Sequence, residues 1–114
     1  MQKSINGEVY NLSLERIKYI LKSNFNVSIK DKSIEEIYIE NEDCYIDMYD
    51  NSAFMKNTFL IGGVYKGEEY HKGIEFINKL ANLFLEEKVS FELEIESDGN
   101  IYNIKNRLVK MGSV

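Results

Sequence analysis

A chain of 114 residues with a formal net charge of −5, 44% apolar and 29% charged residues has the size and composition of one globular domain, and it is too apolar for disorder. A chain this long buries roughly two-thirds of its unfolded surface, enough for a core without metal or disulfide staples. The single cysteine, Cys44, excludes an intramolecular disulfide, no apolar run approaches the ~20 residues of a membrane helix, and Met1–Asn11 lacks the pattern of a secretory signal; the expectation is a cytoplasmic protein.

The first twelve residues are ambiguous. Asn6-Gly7 is a turn signal, and Glu8-Val9-Tyr10 reads as a short strand. Leu14, Ile17, Ile20 and Leu21 recur at helical spacing, which predicts a helix over residues 13–23 with Asn11 or Ser13 as its cap and Asn24 as its stop. Phe25, Val27 and Ile29 alternate with polar residues as in a short strand, and Lys30-Asp31-Lys32-Ser33 reads as a turn.

The stretch Ile34–Asp50 has the pattern of a β-hairpin. Ile37, Ile39, Ile46 and Met48 form one side, and Glu36, Tyr38, Glu40, Tyr45, Asp47 and Tyr49 form the other. Keeping the apolar residues on one side requires opposed residue numbers to sum to an odd value, and 85 fits, with Glu40 opposite Tyr45. Asp50-Asn51-Ser52 is a turn. Thr58–Tyr65 reads as a strand, with Gly62-Gly63 marking a bulge or a close backbone approach.

A second helix is predicted over residues 68–87, with Tyr70, Ile74, Ile77, Leu80, Ala81 and Phe84 as its apolar stripe. Gly73 inside it weakens the helix by roughly 1 kcal/mol relative to alanine, unless packing on the sheet requires it. Residues 89–96 alternate cleanly. Asp98-Gly99 is a type I′ hairpin signal, so residues 101–108 return with opposed numbers summing to 197: Leu93 faces Ile104, Ile95 faces Tyr102 and Glu92 faces Lys105. The fold class is therefore α+β: an antiparallel sheet of five to six strands with two helices packed on one face, in a single domain spanning residues 1–114.

No catalytic motif emerges. His71, the only histidine, has no spacing to a nucleophile or an orienting acid. Cys44 lies among Glu42, Asp43 and Asp47, which disfavour a thiolate, and reads as a small hydrophobe. Asp43, Asp47 and Asp50 do not follow a calcium-loop pattern, so no metal or cofactor is expected. GGVYKGEE, residues 62–69, matches no phosphate-binding loop, and its glutamates repel phosphate.

The charge is uneven. Residues 31–50 carry −7 and residues 86–98 carry −5, in an otherwise mildly basic chain. Direct nucleic-acid binding is disfavoured, and a basic partner is favoured. The hairpin face bearing Glu36, Tyr38, Glu40, Tyr45, Asp47 and Tyr49 has no basic residue of its own, whereas Glu92 has Lys105 opposite. Tyrosine is enriched at binding surfaces and carboxylates complement lysine or arginine, so this face reads equally as an interaction surface or as the plain solvated face of an antiparallel sheet. The leading expectation is a non-enzymatic, acidic inhibitor that occupies the basic, nucleic-acid-binding site of a protein partner, such as a nuclease. In size and charge, though in no motif, this is similar to toxin-immunity and phage anti-CRISPR proteins, and the abundance of Asn, Lys, Ile and Tyr fits a low-GC bacterial or phage genome. Two alternatives stand beside it: a small-molecule binder or minor enzyme using the Gly62–Gly67 turn and His71, and a structural homodimer joined through a sheet edge.

Overall fold

Alternating apolar residues generate most of the architecture. The computed structural model describes residues 3–25, 28–33, 36–40, 44–50 and 58–106, with side chains described for all of these except 29–33, 36–39 and 50. In chain order the elements are β1 (Lys3–Tyr10), α1 (Leu14–Asn24), β2 (Ser28–Ser33), β3 (Glu36–Glu40), β4 (Cys44–Asp50), β5 (Thr58–Tyr65), α2 (Tyr70–Glu86), β6 (Phe91–Ser97) and β7 (Asn100–Asn106). The strands form one sheet in the order β2-β3-β4-β5-β1-β6-β7, with every neighbouring pair antiparallel.

The α+β class and the antiparallel sheet are as expected, and the sheet has seven strands rather than five or six. The difference lies in β1, of which the sequence suggests only Glu8–Tyr10 as a short strand and which runs through Asn6-Gly7 rather than turning there. Its alternation is masked by Lys3, which sits at an inward position and is 3% exposed. The ammonium is satisfied there by donating to the Gly67 carbonyl at 2.8 Å, since a buried charge needs a partner.

Both hairpin registers match the sequence reading. Glu40 lies opposite Tyr45 and Ile37 opposite Met48; Leu93 lies opposite Ile104 and Ile95 opposite Tyr102. Asp98 and Gly99 adopt φ of 53° and 84°, the two positive values that a type I′ turn requires.

The core lies on one face. Ile5, Val9, Ile46, Met48, Phe59, Ile61, Phe91, Leu93 and Ile95 from the strands form a single buried cluster with Ile17, Ile20 and Leu21 of α1 and Ile77, Leu80, Ala81 and Phe84 of α2, so both helices cover the same side. Gly73 lies where α2 meets the sheet: a Cβ there would fall 2.6 Å from Ile95 Cδ1. Close packing therefore offsets its weak helix propensity.

Several boundaries differ from expectation. One does not: of the two caps expected for α1 it is Ser13 that serves, its Oγ accepting from the Arg16 amide at 3.2 Å. Asn24 is the last helical residue rather than the stop beyond it, and its side chain donates to the Ile20 carbonyl. Phe25 is not in a strand; its ring packs 5.3 Å from Phe76. Lys30–Ser33 lies in β2, where Asp31 pairs with Ile37, because charged residues are tolerated at a sheet edge. Gly62-Gly63 carries no bulge, since the register of β5 runs through it on both sides. Instead a Cβ at Gly63 would collide with the Tyr45 carbonyl and approach Ile46 Cα. The two helices are clamped by Arg16, which donates from Nε and Nη2 to the two Glu87 oxygens at 2.8 and 2.7 Å. This double hydrogen bond holds the Glu87 carboxyl below its ordinary pKa, even though partial burial pushes the other way.

Candidate binding face

The sheet's second face is the candidate site, and strand parity builds it. Residues that alternate with the core positions point away from the helices. Across β4, β5, β1, β6 and β7 this gives three rows. One runs Tyr49, Leu60, Glu8, Glu92, Lys105; the next Asp47, Gly62, Asn6, Glu94, Asn103; the third Tyr45, Val64, Ser4, Glu96, Ile101. Glu36, Tyr38 and Glu40 extend the rows at backbone positions opposite Tyr49, Asp47 and Tyr45. The sheet therefore aligns the six residues singled out in the first hairpin with the acids of β6.

Tyr49 is 44% exposed, Tyr45, Asp47 and Glu40 are half-buried, and the side chains of Glu36 and Tyr38 lie outside those described. The idea that this hairpin's acids lack basic partners needs correction. Lys66, just beyond β5, approaches Glu40 to 3.5 Å. A salt bridge this exposed contributes little, about 0–1 kcal/mol, but it removes the distinction drawn from the hairpin alone.

The acidic centre lies elsewhere, on β1 and β6. Glu8 is directly opposite Glu92, and like charges at such positions repel. Tyr10 donates to Glu8 Oε2 at 2.6 Å, and Asn103 donates to Glu92 Oε2 at 3.0 Å. Lys105 does lie opposite Glu92, but Glu94 faces only Asn6 and Asn103, and Glu96 faces Ser4 and Ile101. Between these residues the sheet carries a concavity of about 360 Å³ bordered by Asn6, Glu8, Leu60, Glu92, Glu94 and Asn103. Gly62, in the middle row beside it, has no side chain to fill the space: nothing lies within 4 Å of the position its Cβ would take. Sequence reasoning missed Glu8, Asn6 and Leu60 because the β1–β5 and β1–β6 pairings are non-local.

The other candidates separate. His71 is exposed at the start of α2. Gly62 and Gly63 lie within β5 rather than in a turn, and the Gly67 carbonyl is taken by Lys3. Cys44 is fully buried, as a small hydrophobe is. Asp43 lies outside the described residues, and among the described residues no group of three His, Cys, Asp or Glu is placed to hold a metal ion. Among them, too, no helix is long and apolar enough to cross a membrane. Comparison with protein-family models, curated proteins and solved structures found no match.

Proposed function

We propose that this protein is a non-enzymatic binding protein whose exposed sheet face docks onto a basic surface of a protein partner. One observation supports the reading: all the helices described pack on one face, while the opposite face aligns Glu8, Glu40, Asp47, Glu92, Glu94 and Glu96 in rows with Tyr45 and Tyr49. Acids arranged on a sheet complement lysines and arginines across an interface and speed encounter, and tyrosines supply rigid contact area. Basic sites of this kind occur on nucleases and other nucleic-acid-binding effectors, where carboxylates stand in for phosphates. The proposed role is inhibition by occupying such a site in the cytoplasm, in the manner of an immunity or anti-CRISPR protein.

The test is capture of the partner from host extract by the full chain, followed by competition with single-stranded DNA. Charge reversal of Asp47 and Glu94 to lysine is expected to weaken binding about tenfold or more and to flatten its salt dependence. Single-stranded DNA should compete. Binding that is indifferent to salt, to DNA and to both reversals rules the reading out.

A further inference from the structure

The two edges of the sheet are built differently. β2 carries Lys30, Asp31 and Lys32, and its register shifts between Asp31 and Ser33. Charge and irregularity of this kind block strand-to-strand association. β7, at the other edge, pairs with β6 without interruption from Asn100 to Asn106, and Lys105 is its single charged residue. It has no neighbour beyond it among the described residues.

α2 holds β7 in place from behind. Tyr102 donates to Asn78 Oδ1 at 2.7 Å, and Tyr70 donates to the Asn100 carbonyl at 3.1 Å. A strand fixed in this way loses little further freedom on pairing.

The hairpin turn decides which groups are available. A two-residue loop makes Ser97 and Asn100 a hydrogen-bonded pair, and pairs alternate along an antiparallel ladder. Tyr102, Ile104 and Asn106 therefore bond to β6. The amides and carbonyls of Ile101, Asn103 and Lys105 point out of the edge.

We infer that β7 pairs antiparallel with β7 of a second copy of this chain, about a two-fold axis at Asn103. This register matches the available groups to each other: Asn103 opposes Asn103, and Ile101 opposes Lys105. Tyr102 then opposes Ile104 on the helix-covered side. These two residues are half-buried against the core, and the partner's copies complete their cover. Ile101, 59% exposed, gains the lysine's aliphatic stem. No like charges are opposed, and each Lys105 comes beside the strand next to the partner's Glu96. The strand is thus complementary to itself, whereas pairing β7 with β2 would oppose a regular edge to a shifted, charged one.

Sedimentation of the full chain from about 10 μM to about 1 mM brackets the weak affinity that a strand-sized interface supports. A monomer–dimer equilibrium is expected. Asn103→Pro removes an amide that β6 does not use, so the protomer should fold and remain monomeric. Ile101→Lys leaves the backbone intact and opposes two lysines, and it should weaken the dimer about tenfold. Amides 101, 103 and 105 should gain hydrogen-exchange protection with concentration, while 102 and 104 are protected throughout. A monomer at every concentration, an assembly larger than a dimer, a dimer unchanged by Ile101→Lys, or concentration-independent exchange at the three amides overturns the inference.

Discussion

The two faces of the sheet obey different rules. On the inner face each side chain is fixed by volume, and the alternation that puts it there is written into its own strand. On the outer face the character of a residue is set by its cross-strand neighbours, which come from distant parts of the chain. Leu93 is buried whichever strands flank β6; Glu92 becomes part of an acidic centre only because β1 brings Glu8 beside it.

The largest test of this contrast is Leu93→Ala against Asn103→Ala on the other face. The first leaves a cavity in the core beneath α2 and should cost about 2–5 kcal/mol in denaturant unfolding; the second should stay within about 0.5 kcal/mol. Two adjacent glycines sharpen the comparison. Gly63→Ala faces inward against the β4 backbone and should cost about 1–3 kcal/mol. Gly62→Ala faces outward into open space and should be neutral, or stabilising by up to about 1 kcal/mol. Equal losses at the two positions would mean that the faces are not distinct.

A smaller effect tests the outer face directly. Asn6→Lys places a cation opposite Glu94 and should stabilise the fold by about 0.2–1 kcal/mol. Salt should reduce the gain, and binding of a basic partner should weaken.

The least effect is expected in the helical layer. The Glu87 carboxyl, held below its ordinary pKa by Arg16, adds stability that is complete above the ordinary glutamate value of about 4.3. That stability is lost as pH falls through the lower folded-state value. Thermal unfolding of Glu87→Gln beside the wild type should differ at pH 7 and converge in acid.

Much of the inner face was legible. The sums of 85 and 197 followed from parity and turn chemistry, which are local. β1 was obscured by Lys3, a charged residue at a core position, and by an Asn-Gly pair that does not turn. β2 was displaced because Lys30–Ser33 resembles a loop when its edge position is unknown. Of the binding face, the hairpin half was legible as a pattern; Glu8, Lys66 and the concavity were not, because each depends on which strands lie side by side.

The central position of β1 has a consequence for how the molecule is made. Strands β2 to β5 are joined in sequence order, as are β6 and β7, so each group can assemble from short-range contacts. β1 alone joins them, pairing Tyr10 with Thr58 on one side and Val9 with Phe91 on the other. It precedes the other strands in the chain and can be placed last, once β6 has emerged. Such long-range closure is slow, in the millisecond-to-second class on the order of non-local β proteins. Until it occurs, the facing edges of β5 and β6 are both open, and crowding during synthesis is when this protein is most exposed to mispairing.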